Sequence, residues 1–522
     1  MRGAVAAGHP LTAEVGAGVL RDGGNAVDAC LAAAFASWVV ESPLTGPGAG
    51  GFVLVHRAHD RSSRLLDFFV AVPGLGARAR AAEMDTVDID FEGGETSQAF
   101  RIGASSCAVP GAPAGLEEAH RSFGTLPWRR LIEPAIALAR EGVELTRPQA
   151  YLHAVLDVIL RHTPEGNRIY GLHGHRLAAR DRLVLADLAR TLELLADEGA
   201  LSLYAGALGR TVCEYVRDHG GLLTERDLKT YRVIRRRPVR VEFLQHEFES
   251  NPPPSSGGVL IGYGLRLLDS LGQNGAPGSA EAIALLVEVM REQQRARSGR
   301  FAGDLYRGGL PQRLYADDTV HAALRRIEKN APGVPEPAPL GGTTHISVVD
   351  ARGNAASLSA SLGSGSGTIV PGTGIHLNNM LGEYDLTPVR GHPRPGRRLT
   401  SMMAPSIVLR NGEPRLVVGS AGSVRLRGAI LQIVVNVIAY GLSVEEAIER
   451  PRIHVDEPHV HCEGGAEAAE LDRLESWGYD VVRWRRRNLY FGGAAGVELR
   501  EDGTLAAAGD PRRGGAGVVV TA

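Results

Sequence analysis

One junction constrains this chain more than any other feature. A proline-rich segment, Asn330-Ala331-Pro332-Gly333-Val334-Pro335-Glu336-Pro337-Ala338-Pro339-Leu340, runs into Gly341-Gly342-Thr343-Thr344-His345-Ile346-Ser347-Val348-Val349-Asp350. Proline fixes φ and removes backbone donors, so the segment 330–340 is expected to be exposed and extended. The residues after it alternate with period two and predict a buried strand from Thr344 to Asp350. Arg352-Gly353-Asn354 then turns the chain into a second strand, Ala355 to Leu362.

The texture differs on the two sides. Before the junction the pattern is mostly helical: two helices within 12–40, split by Asp22-Gly23-Gly24-Asn25, and more from about 115 to 230. After it come hairpins at Ser406–Arg410 with Arg415–Val418 around Asn411-Gly412, and at Val497–Ala506 around Glu501-Asp502-Gly503. The chain therefore has a helix-rich first part and a strand-rich last part, joined by the proline-rich segment.

A hydroxyl residue at the start of a buried strand, behind Gly-Gly and an exposed linker, fits internal peptide cleavage. The Thr343 hydroxyl would attack the Gly342 carbonyl, and an N-to-O acyl shift would leave an ester for water to hydrolyse. Gly342 has no side chain to block that approach. Cleavage frees the α-amine of Thr343. With a pKa of roughly 8, it can act as general base to its own hydroxyl. The competing reading of Thr-Thr is ordinary strand propensity.

Composition excludes several classes. Hydrophobic residues make up 44% and charged residues 22%, as in a folded globular protein. Net charge is −2, so no broad field draws nucleic acid or an anionic membrane. The clusters Arg235-Arg236-Arg237 and Arg485-Arg486-Arg487 read as solvated faces or ion-pair partners. Cys30, Cys107, Cys213 and Cys462 are too sparse for a disulfide framework. The apolar run Ala26–Val40 is too short for a membrane span. No leader is legible at the start, and a cytoplasmic protein is the expectation.

Several motifs now align. They are Gly23-Gly24-Asn25-Ala26-Val27-Asp28-Ala29, Val109-Pro110-Gly111 and Pro252-Pro253-Pro254-Ser255-Ser256-Gly257-Gly258. After these come Thr343-Thr344-His345, Pro371-Gly372-Thr373-Gly374, Leu377-Asn378-Asn379, Ser401 to Pro405, Gly419-Ser420-Ala421-Gly422 and Asp510-Pro511-Arg512-Arg513-Gly514. In this order the chain resembles the gamma-glutamyltranspeptidase family of N-terminal-nucleophile hydrolases along nearly its whole length.

The resemblance implies an α+β, four-layer αββα sandwich built from two subunits of one precursor, 1–342 and 343–522. It implies Thr343 as nucleophile on a small-molecule amide or acyl substrate, with no cofactor and no metal. The N–H groups of Gly422 and Ser423 would hold the oxyanion, where the family has Gly-Gly. Ser361 stands where the family has a second hydroxyl bonded to the nucleophile. Further homo-oligomerisation is left open.

The departures fall on substrate recognition. The family's carboxylate-binding arginine becomes Phe69, its Ser-Ser pair becomes Ser401-Met402, its asparagine becomes Gly363, and its glutamine becomes Met380. An acid remains at Glu383. A carboxylate buried without a partner costs several kcal/mol, so a standard gamma-glutamyl group is disfavoured. The expected substrate is therefore a different acyl group, in a biosynthetic setting such as antibiotic production. One alternative is true gamma-glutamyl chemistry using Arg397, Arg398 or Arg425. Another is carbon–carbon cleavage of a ketone by the same threonine, and a third is an uncleaved binding protein.

Other signals are set aside. The glycines at 46–51 lack the Gly-Lys-Ser/Thr of a phosphate cradle. His454, Asp456, His459, His461 and Cys462 are expected along a surface strand as titrating side chains, not metal ligands. His173 and His175 are given no role. His345 is expected to be structural.

Overall fold

A computed structural model describes residues 3–521 apart from 79, 92–95, 330–332, 334–341, 384–385 and 387–393. The proline-rich segment expected to be extended, 330–340, lies outside the described residues except for Gly333.

The strands of the two large sheets that precede the junction are β1 (Gly3–Ala7), β2 (Gly50–Arg57), β3 (Ser62–Phe68), β4 (Ile234–Arg236), β5 (Val239–Phe243) and β6 (His246–Ser250). From the junction onward they are β7 (Gly342–Asp350), β8 (Ala355–Gly363), β9 (Ser406–Arg410), β10 (Glu413–Ala421), β11 (Gly493–Leu499), β12 (Leu505–Gly509) and β13 (Ala516–Val520). They form a seven-stranded sheet in the order β4-β3-β2-β8-β7-β1-β13 and a six-stranded sheet in the order β5-β6-β9-β10-β11-β12. The two parts on either side of the junction are thus not separate globules. β7 and β8 sit in the middle of the first sheet, between β2 and β1.

Helices α1 (Pro10–Arg21), α2 (Ala26–Val40) and α3 (Ala112–Phe123) cover the first sheet, and α4 (Trp128–Glu141) packs on the outside of α2. Helices α5 (Gly257–Leu271) and α6 (Arg425–Ile438) cover the second. The two sheets face each other, which completes the αββα sandwich. Local sequence explains the ends. Gly23, at φ +88°, stops α1. Asn25 then caps α2, with its side chain on the Asp28 N–H and the Asp28 carboxylate on the Asn25 N–H. Every residue of α2 is buried, because sheet and helices close on it from all sides.

Strand parity sorts the core. Val5, Val53, Leu66, Ile346 and Leu358 pack toward α2, whereas Ala4, Ala6, Phe52, Leu54 and Leu65 pack into the cluster that includes the second sheet. The glycine run at 46–51 is consumed by close backbone approach. A Cβ on Gly48 would lie 2.2 Å from the His376 carbonyl oxygen, and one on Gly51 2.3 Å from that of Ser359.

Candidate active site

The same parity divides the threonine pair. Thr344 shares its face with Ile346 and Val348 and donates its hydroxyl to Glu41 at the end of α2, 2.6 Å away. Thr343 shares its face with His345 and Ser347, between the sheets. Ser347 donates across to the Ala495 carbonyl of β11 at 3.1 Å.

Thr343 also stands at an irregularity. Gly342 pairs with Gly363 and Thr344 with Ala360, so Ser361 and Leu362 both oppose the single residue Thr343. Such a bulge re-aims side chains and increases local twist. Gly363, at φ +74°, makes the turn out of β8. The Ser361 hydroxyl donates to the Gly342 carbonyl and accepts from the Gly363 N–H at 2.8 Å. Sequence comparison paired Ser361 with the nucleophile. In the continuous chain its proton goes to the peptide before Thr343.

A half-buried guanidinium and a buried carboxyl stand behind the strand. Arg513 Nη1 donates to the Thr343 carbonyl at 3.1 Å. Burial is the main cause that lowers its pKa, to about 10; neighbouring Arg425 acts the same way, and Asp510 and Glu41 oppose it. Glu41 accepts from Thr12 at 2.8 Å and from Thr344. Burial raises its pKa against those two hydrogen bonds.

In front of Thr343 lies a small cavity of about 40 Å³. Every substrate-binding residue expected from sequence lines it: Phe69, Met380, Glu383, Ser401 and Met402. Thr343, Ser361 and Ser423 line it as well. Leu386, Met403 and Leu426 complete the wall and were missed. Met403 lies inside the Ser401-to-Pro405 motif and Leu426 follows the one that ends at Gly422; Leu386 is attached to none.

Each wall is held by its own loop ties. Asn378 clamps the turn before Met380 by donating to the Gly48 and Ala108 carbonyls at 2.8 and 3.0 Å. Asn379 donates to Ser364 Oγ at 2.6 Å, and Glu383 accepts from the Ser364 N–H at 3.2 Å. Ser255 donates to the Ser401 and Met403 carbonyls, so the Pro-Pro-Pro-Ser-Ser motif holds the Ser401–Met403 wall. Thr400 turns its hydroxyl to the Leu386 carbonyl at 2.9 Å, which leaves Ser401 and Met402 as the cavity pair. Gly422 (φ +118°) and Ser423 (φ +53°) bridge the end of β10 and the start of α6. They lead into the N-terminus of α6, the positive end of its dipole.

None of the alternative arginines lines the cavity. Arg397 stacks 3.4 Å over the Tyr306 ring. Arg398 is buried, pairs with Asp67 at 3.3 Å, and donates to the carbonyls of Phe69 and Arg232. Arg425 is buried over Tyr490 at 4.3 Å. Among the described residues, then, the cavity has no guanidinium.

The histidine-bearing segment differs from expectation. It is a hairpin, Ile453–Asp456 with His459–Cys462, exposed at His459 but buried at His454 and Cys462. His454 is 6% exposed, and burial first, then Arg425 and Arg427, holds its pKa well below the usual histidine value. The outer face is covered by Tyr490 and Trp484, which arrive from distant sequence. Among the described residues no group of three or more potential ligands gathers to hold a metal. His345 is buried, bonded to Ser359 at 2.8 Å and Ser347 at 3.0 Å, with burial holding its pKa down to about 3.

Comparison with known proteins agrees with this geometry. The gamma-glutamyltranspeptidase family profile matches residues 12–520. The acylase ACY 1 proenzyme of Pseudomonas sp. (strain SE83) is 33% identical over 100% of this chain and 94% of its own length. The glutathione hydrolase proenzyme of Escherichia coli (strain K12) is 30% identical over 98% of this chain and 90% of its own. Among solved structures, cephalosporin acylase from Bacillus halodurans superposes with a TM-score of 0.86 at 24% identity, covering 100% of this chain and 96% of that one. That likeness establishes the N-terminal-nucleophile hydrolase fold. By profile, by relatives and by fold, the chain belongs to the gamma-glutamyltranspeptidase family of enzymes.

Proposed function

We propose that this chain is an autoprocessing acyl hydrolase or acyltransferase with Thr343 as its nucleophile, acting on an acyl group other than gamma-glutamyl. The observation that carries the second half is the cavity wall. Phe69, Met380 and Met402 meet in front of Thr343, and no guanidinium among the described residues faces them.

Maturation runs through the contacts already described. Thr343 Oγ attacks the Gly342 carbonyl carbon, and the developing oxyanion takes the hydrogen bond from Ser361. The C–N bond breaks, the ester is hydrolysed, and segments 1–342 and 343–522 remain joined through the shared sheets. Named relatives being proenzymes supports this step. In turnover the freed amine of Thr343 deprotonates its own hydroxyl, which attacks the substrate carbonyl. The N–H groups of Gly422 and Ser423 stabilise the tetrahedral oxyanion, and water or an amine then resolves the acyl-enzyme.

A gamma-glutamyl group brings an α-carboxylate that this wall cannot pair. A compact apolar acyl group suits it. Glu383 and Ser401 remain to grip a single polar or cationic substituent. The test is a comparison of purified, processed enzyme on gamma-glutamyl anilide, glutathione and anilides of short apolar acyl groups. Faster release from an apolar acyl anilide is expected. Efficient turnover of glutathione defeats the reading.

A further inference from the structure

Far from Thr343, at the outer edge of the first sheet, lies a larger cavity of about 430 Å³. Six arginines line it: Arg57 at the end of β2, Arg64 on β3, Arg121 on α3, and Arg235, Arg236 and Arg237 on and after β4. Nearly all basic residues of this chain are arginine, so the residue type carries no information. The convergence does. Four separate elements deliver guanidiniums to one concavity in a protein whose net charge is −2.

Carboxylates compensate only part of that charge. Asp60 pairs with Arg57, Asp67 pairs with Arg236 at 2.8 Å, and Glu118 is shared by Arg121 and Arg235. Among the described residues Arg64 donates only to the Ser63 carbonyl, and Arg237 has no hydrogen-bond or ion-pair partner. Three carboxylates against six guanidiniums leave about three positive charges facing one space. The floor is the half-buried ring of Phe123, with the core residue Leu66 packed beneath it, an apolar surface under a cationic rim.

We infer that this cavity binds a small molecule bearing a pyrophosphate group. A single phosphate carries about −1.5 to −2 charge near neutral pH, too little to balance the rim, whereas two linked phosphates match it. Guanidiniums offer forked donors that fit phosphate oxygens in pairs. The volume lies in the range of about 300–1,000 Å³ typical of small-molecule sites, and the concavity favours such a ligand over a macromolecular face. The apolar floor gives the organic part of the ligand a surface to lie on.

The test is calorimetric titration of the purified protein with inorganic pyrophosphate and with ADP, beside an Arg64→Ser/Arg237→Ser double variant. Saturable one-to-one binding is expected for both probes, weakened at least tenfold in the variant. A control variant, Arg485→Ser/Arg487→Ser, is expected to bind as wild type does. Arg64 and Arg237 are exposed, so both variants should melt at the wild-type temperature, which separates loss of the site from loss of the fold. Absence of saturable heat from either probe overturns the inference. So does equal binding by the double variant, or displacement by chloride and sulfate at the same concentrations, which marks an ionic atmosphere only.

Discussion

The Ser361 hydroxyl donates to the carbonyl oxygen of Gly342, the oxygen that would become negative in the proposed attack by Thr343. It is held there by accepting from the Gly363 N–H at 2.8 Å, so its proton has one direction to point. A donor aimed at a developing oxyanion is worth about 3 kcal/mol, or roughly 100- to 1,000-fold in rate. Ser361→Ala is therefore expected to slow self-cleavage by about that factor, and Ser361→Thr to restore most of it. Intact mass against time after purification reads this directly. Wild type should give two polypeptides split before Thr343, and Thr343→Ala a single one. Maturation of Ser361→Ala at the wild-type rate removes the residue from the mechanism.

Phe69 stacks on Phe52 with ring centroids 5.5 Å apart, and both are buried. Restoring an arginine at this position does not restore a carboxylate site. The nearby Asp67 is already engaged by Arg236 and Arg398 and by the Phe69 N–H. Phe69→Arg places an unpaired guanidinium in an apolar wall, and a loss of about 3–5 kcal/mol in urea unfolding is expected. A variant as stable as wild type that also hydrolyses glutathione would show that the wall can adapt to the charge.

The strand Thr344–Asp350 and its partner were legible because alternation is a local signal. The bulge was not. It depends on how β8 pairs, with Ser361 and Leu362 sharing one partner, and nothing in either strand alone records that. Most cavity residues were found through the motifs, although Met403, inside one of them, was not; Leu386 was missed because only the tertiary fold brings it to Thr343. His454 shows the same limit. A strand there followed from sequence, but its pairing into a hairpin and the burial of His454 beside Tyr490 and Arg425 of α6 did not.

Gly419 of β10 faces His345 of β7. A Cβ added there would lie 2.3 Å from the imidazole Cε1 and 2.4 Å from Nδ1. The ring cannot retreat, because Ser359 and Ser347 hold both its nitrogens. Overpacking of this kind costs about 1–3 kcal/mol, so Gly419→Ala should lower the unfolding midpoint. The double variant Gly419→Ala/His345→Ala should recover part of the Gly419→Ala loss relative to His345→Ala alone. Strict additivity of the two changes would show that the contact is not the reason for the glycine.

Stability should fall on acidification, and the sign follows from buried histidines. Burial lowers the pKa of His9, His153, His376 and His461 to about 4, and that of His345 to about 3. These rings are neutral in the fold, while the unfolded chain takes up protons near pH 6.5. Below that pH the unfolded state binds more protons, and each such ring removes about 1.4 kcal/mol of stability per pH unit. The contribution is complete above pH 6.5 and is lost as the pH falls toward the folded values. Glu41, Glu249 and Asp456, whose pKa values burial raises, act in the opposite direction, but the five lowered histidines outnumber them. Melting temperature should thus be nearly flat from pH 8 to 7 and drop steeply between pH 6 and 5. A protein that melts higher at pH 5 than at pH 7 would mean that these rings gain counter-ions or solvent that the buried positions here do not provide.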